Sequence, residues 1–367
     1  MKNLKNTFVK ILLPALSIFF ITVTISCNKD DDAPAPAITP LPASDVFALG
    51  TTIPAEEAFF YKNEVKTILQ VGANEFAQPL SMYVDGDDVY IAGSVFVIPP
   101  VGNNFTQLCY WKNGIKVNLT HTIPPAGLNH AQTFAITISN GVVYVLGFTN
   151  NTNSEVRSLK IWKDGVQSDF YTIPINELYA KAMFVKNNNI YVVGAISNGT
   201  IFQATYWVNG AATRISAVHS EATDITVDQN GVHLTFNENV ASGPYRGSPD
   251  VVKYWKEGVI STVSIQRADS EKILVKGTDV YIAGNERADG STSVFAACYW
   301  KNGVKTIFPG VTTLTCTNIK MGSNGDLFVA SKLIYDGPAP LTYWQNNIKK
   351  TIGNSNESFI AFDINKK

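Results

Sequence analysis

Apolar and polar residues alternate along most of the chain, which is the pattern of β-strands with one buried face. The segments MYVDGDDVYIAG, from Met82, and FAITISNGVVYVLG, from Phe134, are typical. In the second segment Asn140-Gly141 interrupts the alternation, and Asn-Gly supplies the positive φ angles that two-residue hairpin turns require. No stretch shows the period of a long amphipathic helix. The pattern therefore predicts an all-β fold built from hairpins.

A tryptophan phrase recurs at spacings of 44 to 51 residues. Its seven versions are FYKNE (60–64), YWKNG (110–114), IWKDG (161–165), YWVNG (206–210), YWKEG (254–258), YWKNG (299–303) and YWQNN (343–347). Each version predicts a strand, a tight turn and the start of another strand, with a large aromatic residue for packing against a neighbouring repeat. These structural repeat residues are Tyr61, Trp111, Trp162, Trp207, Trp255, Trp300 and Trp344.

A second phrase, such as VYIAG at 89–93, precedes each tryptophan phrase, and an alternating segment precedes most of these. Four strands in about 40 to 50 residues, repeated, are typical of a propeller blade. An open solenoid is the alternative, but it would expose two sheet edges. In the fifth repeat His233 and Phe236 replace the usual Tyr and Gly, so we expect its second strand to be irregular.

The two ends of the repeat region complement each other. It begins with a second-strand phrase, VFALG at 46–50, and finishes with a first strand, SFIAFDI at 358–364. Joining them completes one blade, with one strand from the C-terminus and three from the N-terminus. The sequence therefore predicts a seven-bladed β-propeller of four-stranded antiparallel blades over residues 45–367, closed by this 1+3 latch.

The first 26 residues have the organisation of a secretory signal peptide. Three lysines precede an apolar run over 11–25, which is shorter than the roughly 20 residues that span a bilayer. Ser26-Cys27 follows and resembles the lipobox of bacterial lipoproteins, although Thr24 replaces the usual leucine. The resemblance implies cleavage before Cys27 and lipidation of its side chain. An ordinary cleaved signal and an uncleaved anchor are the alternatives.

Residues 27–44 are expected to tether the propeller to a membrane. Asn28-Lys29-Asp30-Asp31-Asp32 resembles the acidic tag of Bacteroidetes-type lipoproteins, which implies transfer to the exterior face of the outer membrane; a solvated charge run is the alternative. The proline-rich APAPAITPLPA at 33–43 favours an extended spacer. Over 45–367 the VYxxG…YWKNG blades resemble a family of surface lipoproteins, and this resemblance implies the fold but no activity.

Composition changes this picture little. Charged residues make up 16% of the chain and the precursor has a net charge of −1, so nothing favours a nucleic-acid partner. Cys109 and Cys298 occupy the same position in non-adjacent repeats, and together with Cys316 they are expected to be buried free thiols.

In an antiparallel blade the loops between strands 2 and 3 and between successive blades share one face, and here these loops vary in length. That face is the predicted binding surface. Its aromatic residues could stack on sugar rings or peptide side chains, and its charged residues could supply polar contacts. The candidates are Phe105, Arg157, Glu177, Tyr179, Tyr245, Arg246, Glu286, Arg287 and Tyr335. The inner strands would line a central channel through Asp224, Lys272, Asn318 and Asp363, with Ala135, Ala182 and Ala361 in other blades.

Evidence for catalysis is thin. No HExxH, paired-cysteine, GxSxG or phosphate-loop motif occurs, and we expect no cofactor. A metal site would need His121, His130 and His219 to converge from separate loops, and we expect none; DGDD at 85–88 fits a hairpin turn better than a calcium loop. Glu155, Glu177, Glu221 and Asp289 could supply a glycosidase pair. The expected function is binding of an extracellular glycan, peptide or partner protein, with a glycan-active hydrolase or lyase and a structural envelope protein as alternatives.

Overall fold

A computed structural model describes residues 43–365, apart from 54–56, 121–130, 151–155, 175–177, 240–249, 265–266, 288–294, 309–313 and 334–336. The described chain forms seven four-stranded antiparallel sheets, which are the blades of a β-propeller. This confirms the predicted fold. Within the described ranges no helix is long and apolar enough to cross a membrane.

The blades are numbered here in chain order, and blade 1 is the one completed by the C-terminal strand. Their inner strands are β4 (Glu75–Asp85), β8 (Ala131–Ser139), β12 (Leu178–Lys186), β16 (Ser220–Asp228), β20 (Ala268–Lys276), β24 (Leu314–Met321) and β28 (Glu357–Ile364). The second strands are β1 (Val46–Thr52), β5 (Asp88–Val97), β9 (Val142–Asn150), β13 (Asn189–Ser197), β17 (Gly231–Asn239), β21 (Asp279–Arg287) and β25 (Leu327–Leu333). The third strands are β2 (Ala58–Lys62), β6 (Phe105–Lys112), β10 (Val156–Lys163), β14 (Phe202–Val208), β18 (Asp250–Lys256), β22 (Phe295–Lys301) and β26 (Leu341–Gln345). The outer strands are β3 (Val65–Ile68), β7 (Ile115–Asn118), β11 (Val166–Pro174), β15 (Ala211–Arg214), β19 (Val259–Thr262), β23 (Val304–Ile307) and β27 (Ile348–Ile352).

The C-terminal strand closes the ring. Each inner strand contacts the next around the whole propeller, and β28 contacts both β24 and β4. β28 pairs antiparallel with β1, from Val46 opposite Ile364 to Thr52 opposite Glu357. Beyond the pairing, the Asp45 amide donates to Asn365 Oδ1 at 2.7 Å, and Asn365 Nδ2 donates to Asp45 Oδ2 at 3.0 Å. The predicted 1+3 latch is therefore confirmed.

The repeated KNG phrase joins the third and fourth strands of each blade. In blade 2, Asn113 and Gly114 have φ angles of 52° and 85°, as a two-residue hairpin turn requires. Asn113 Oδ1 also accepts the Val89 amide at 2.8 Å, and its Nδ2 donates to Asp88, which pairs with Lys112 at 2.8 Å. The phrase thus forms the turn and fixes the start of the neighbouring strand. Equivalent side chains that accept the first amides of the second strands are Asn63, Asp164, Asn209, Glu257, Asn302 and Asn346.

The tryptophans fill the interfaces between blades. Trp111 is fully buried against Phe47, Leu49 and Phe60 of the preceding blade. Its indole nitrogen donates to the Gln70 carbonyl at 2.8 Å, so the polar edge of the ring is also satisfied. The same position is buried in every blade, with at most 7% of the residue exposed, and Tyr61 takes the place of tryptophan in blade 1.

The second strand of blade 5 is regular, so the expectation of an irregular strand was wrong. β17 pairs with β18 over seven consecutive positions without a register shift. The strand accommodates His233 in place of the usual Tyr because both ring nitrogens have partners. They lie 2.6 Å from Tyr254 Oη and 3.1 Å from Asp228 Oδ1. Phe236 is fully buried with Leu234 and packs in the core between blades 4 and 5.

Candidate functional site

The propeller has two different faces, because successive strands of each blade run antiparallel. The face that carries the connections between strands 1 and 2 and between strands 3 and 4 is called the turn face. In blade 2 these connections are Gly86-Asp87 and Asn113-Gly114. The opposite face carries the longer connections and is called the loop face. The chain also enters β1 and leaves β28 on the turn face.

A cavity of about 390 Å³ opens on the loop face, beside the mouth of the central channel. Its walls come from the beginnings of the inner strands β12, β16 and β20 and from the neighbouring ends of β13 and β17. The cavity thus spans blades 4, 5 and 6. Its volume is in the range of pockets that bind small molecules.

β-Bulges place three of the side chains that line this cavity. Every inner strand contains one extra residue that has no partner on the second strand. Such a residue is redirected out of the regular alternation of the sheet. In blades 4, 5 and 6 the extra residues are Lys181, Thr223 and Glu271, and all three line the cavity. Those of blades 1, 2, 3 and 7 are Ile360, Leu80, Phe134 and Thr317.

One wall of the cavity is aromatic. Tyr179 and Phe202, from two strands of blade 4, have ring centroids 4.7 Å apart. Phe202 in turn meets His219 edge to face at 6.4 Å. Rings in this arrangement offer an apolar surface that can stack on a ligand.

Charged side chains also line the cavity. Lys181 contacts Glu221 of the neighbouring blade at 3.3 Å. Lys272 contacts Asp224 at 3.5 Å, also between blades. Asp269 and Glu271 of β20 line the same space. The cavity therefore combines an aromatic wall with a rim of both signs of charge.

Glu271 has the most perturbed carboxyl group of the cavity. Its side chain is exposed to solvent in the cavity, although protein atoms of the neighbouring blades surround it. Desolvation by the surrounding protein is the largest effect and raises the pKa of Glu271 to about 7, against the opposing influence of Lys272 and Lys181. Asp269 raises the pKa further, and Lys332 lowers it. Glu271 therefore changes charge near neutral pH.

Hydrogen bonds between blades 5 and 6 fix the floor of the cavity. Asn237 Oδ1 accepts the backbone amide and the hydroxyl of Ser270, both at 2.8 Å. The Ser270 hydroxyl also lies 2.9 Å from Thr223 Oγ1. These groups hold β16 and β20 together. The backbone beside Ser270 is therefore fixed, and this positions the side chain of the adjacent Glu271.

The residues predicted to bind a ligand do not all lie at the cavity. Tyr179 lines the cavity, and Phe105 begins β6, opposite Val97. Glu286 is buried, pairs with Lys305 and accepts a hydrogen bond from Ser264 at 3.4 Å. Arg157 and Arg287 lie at the ends of strands, and their side chains are not described. The candidates outside the described residues are Glu177, Tyr245, Arg246 and Tyr335.

The polar residues predicted to line the channel also fasten neighbouring inner strands. Asp224 Oδ2 accepts the Ile273 amide at 3.0 Å, and Asp363 Oδ2 accepts the Val84 amide at 3.0 Å. Asn318 Nδ2 donates to the Phe362 carbonyl. Their positions therefore have a structural purpose whether or not a ligand enters the channel.

Most of the other candidate titratable groups lie outside the described residues. Of the four carboxylates considered for catalysis, Glu221 lines the cavity, and Glu155, Glu177 and Asp289 lie outside the described residues. His219 lines the cavity, but His121 and His130 are not described. Within the described part of the chain, no group of three or more His, Cys, Asp and Glu side chains could hold a metal ion.

No protein-family model and no curated protein matches the chain. Among solved structures, it is similar to Porphyromonas gingivalis dipeptidyl peptidase 4, at 10% identity and a TM-score of 0.43, over 80% of this chain and 50% of that one. It is similar to cobalt-substituted Synechocystis ACO at 9% identity and a TM-score of 0.48, over 90% and 94%. A Penicillium chrysogenum α-L-arabinanase complexed with arabinobiose gives 9% identity and a TM-score of 0.47, over 89% and 99%. Likeness at this level says nothing about activity.

Sequence reasoning missed several residues that form the cavity. Phe202, Thr223, Asn237, Ser270 and Glu271 were not among the predicted binding residues, although all line it. The available signal was the alternating segment before each second-strand phrase, because its beginning lies at the channel mouth. The bulge hides that signal, since it shifts the alternation by one residue.

Proposed function

We propose that the protein is a lipid-anchored binding protein that holds an extracellular glycan in the loop-face cavity. The observation that carries the proposal is the aromatic wall of Tyr179 and Phe202 together with polar and charged side chains within one cavity. Sugar rings have apolar faces that stack on aromatic side chains and hydroxyl groups that need hydrogen-bonding partners. The cavity supplies both kinds of contact.

The position of the cavity supports binding from outside the membrane. The proposed lipidation site, Cys27, lies 16 residues before Ala43, and the described chain enters β1 on the turn face. Residues 33–43 between them are proline-rich, a composition that favours an extended spacer. The cavity opens on the face opposite the entry of β1, and this separation supports access by external ligands.

The test measures binding of the chain from residue 28 onwards to a panel of soluble glycans, together with the release of fragments. Phe202→Ala removes the central ring of the aromatic wall, so we expect affinity to fall about tenfold or more. Phe76→Ala is the matched control, because Phe76 is 48% exposed on the inner strand of blade 2, outside the cavity. Equal affinities for both variants, or retention by neither the wild type nor the variants, would contradict the proposal. Retention of peptides instead of glycans would favour a protein ligand.

A glycan-cleaving enzyme is the second candidate, and the pKa of Glu271 at about 7 favours it. A carboxyl group that keeps its proton near neutral pH can act as a general acid, and Glu221 and Asp269 line the same cavity. In that case the wild type releases fragments, and Glu271→Gln binds the glycan without cleaving it. Binding without fragments in the wild type rejects this candidate.

A further inference from the structure

The charged groups of the cavity are unevenly paired. Lys181 and Lys272 each have a carboxylate partner, Glu221 at 3.3 Å and Asp224 at 3.5 Å. Glu271 differs, because no hydrogen bond or ion pair joins its carboxylate to another residue of the described ranges. The acceptor capacity of this carboxylate is therefore available to a ligand.

The lysines near Glu271 do not make up for its missing partner. Lys181, Lys272 and Lys332 act on Glu271 through space from β12, β20 and β25, and Asp269 acts in the opposite sense. The nearer carboxylates largely neutralise the first two of these lysines. The lining as a whole contains two lysines and three acidic side chains, the third being Glu221.

The aromatic wall suits a cation as well. The faces of aromatic rings attract ammonium groups, and the attraction is strongest where water is partly excluded. Tyr179 and Phe202 supply such rings in the cavity that holds Glu271. A carboxylate and aromatic rings lining one cavity form a recognised arrangement for binding ammonium ions.

We propose that the ligand carries an ammonium group, as an amino sugar does, with Glu271 as its counter-ion and the Tyr179 and Phe202 rings beside it. This proposal rests on the glycan-binding function above and specifies the class of glycan. The sugar ring stacks on the aromatic wall, while its charged nitrogen replaces the missing partner of Glu271. Neutral sugars offer that carboxylate hydrogen bonds from hydroxyl groups but no opposite charge.

The first experiment compares three trisaccharides of the same length by calorimetry at pH 7: a glucosamine oligomer, its N-acetylated form and its N-trimethylated form. We expect the N-trimethylated form to bind about tenfold or more tightly than the acetylated form, and the glucosamine oligomer, whose amines are only partly protonated at pH 7, to bind with an affinity between the two. Glu271→Gln should abolish the difference. Glu64→Gln, an exposed carboxylate on the turn face, is the matched control and should preserve it.

The second experiment follows the pH dependence with the N-trimethylated probe, whose charge is constant. Because the carboxyl group of Glu271 has a pKa of about 7, its ionised fraction rises from about a tenth at pH 6 to about nine tenths at pH 8. The affinity should rise by up to about tenfold over this range. Glu271→Gln should flatten the profile. His219→Gln should leave the rise in place, which excludes titration of the histidine as its cause.

Tighter binding of the acetylated trisaccharide overturns the inference, but it supports glycan binding because the cavity then accepts neutral sugars. A cationic preference that survives in Glu271→Gln also overturns it, since another group is then the counter-ion. If no trisaccharide binds, while longer neutral glycans bind in a manner that depends on Phe202, only the inference fails. If no glycan of any kind binds, both proposals fail.

Discussion

Glu357 joins the C-terminal strand to the N-terminal strands, and replacing it by alanine should destabilise the closed ring. Its carboxylate has only 1% of its surface exposed. It accepts hydrogen bonds from Tyr61 Oη at 3.1 and 3.2 Å and from the Asn354 amide at 2.8 Å, and it pairs with Lys66 at 3.0 Å. Tyr61 and Lys66 belong to β2 and β3, whereas Glu357 begins β28. The Glu357 side chain therefore links the C-terminal strand to two strands from the N-terminal end of the propeller.

The expected loss is about 3 kcal/mol in the free energy of unfolding. Removing one partner of a buried ion pair costs about 3–5 kcal/mol, because the remaining groups stay buried without partners. The lower end applies here, since the Lys66 side chain is 28% exposed and can regain water. The Tyr61 hydroxyl, in contrast, remains buried. Its pKa is already raised to about 12 by burial and by the charge of Glu357, which shows how closely the two groups interact.

Urea unfolding followed by fluorescence measures this loss, and Asp169→Ala is the matched control. Asp169 also pairs with a lysine, Lys160, but its side chain is 74% exposed, so the loss should be about 0–1 kcal/mol. A double-mutant cycle of Glu357→Ala with Tyr61→Phe should give a coupling energy of about 1 kcal/mol or more. Equal losses for Glu357→Ala and Asp169→Ala, or no coupling with Tyr61, would refute the reasoning.

Two further predictions concern the turn and the anchor. Asn302→Ala removes a residue type that tolerates a φ of 50° and also the hydrogen bond from the Val280 amide. We therefore expect the free energy of unfolding, measured in urea, to fall by about 1–2 kcal/mol. Asn302→Gly keeps the turn, so its free energy of unfolding should fall less. A larger loss for glycine than for alanine would contradict this account. Cys27→Ser should abolish fatty-acid labelling and release the protein from the membrane fraction, and continued membrane attachment would rule out lipidation as the anchor.

The blade architecture could be predicted because its determinants are local in sequence. Asn113-Gly114 specifies the turn, Trp111 specifies a large buried surface nearby, and both recur at a nearly constant spacing. The latch was also predictable, since the strand missing at one end of the repeat region is present at the other. The blade and the latch could each be predicted from short sequence segments and the number of strands in a blade.

The cavity could not be predicted, because it depends on contacts between blades. Glu286 is a charged residue at a strand end, but Lys305 from the outer strand of the same blade and Ser264 from the preceding blade enclose it. Glu271 is also a charged residue near a strand end, three residues after the start of β20, but it lines the cavity. The sequence around these two glutamates does not distinguish them. Only the packing of neighbouring blades decides which one is enclosed.

The bulge explains how a repeated scaffold can form an asymmetric binding site. Residues on the turn face are chemically similar in all blades, because each must form the same turn and accept the same amide. The bulged residue has no cross-strand partner and so is free to differ between blades. In blades 1, 2 and 3 it is Ile360, Leu80 or Phe134, and in blades 4, 5 and 6 it is Lys181, Thr223 or Glu271. The charged bulged residues, Lys181 and Glu271, thus belong to blades 4 and 6, which form the cavity. Exchanging the bulged residues of blades 3 and 6 should accordingly abolish ligand binding without altering the strand register.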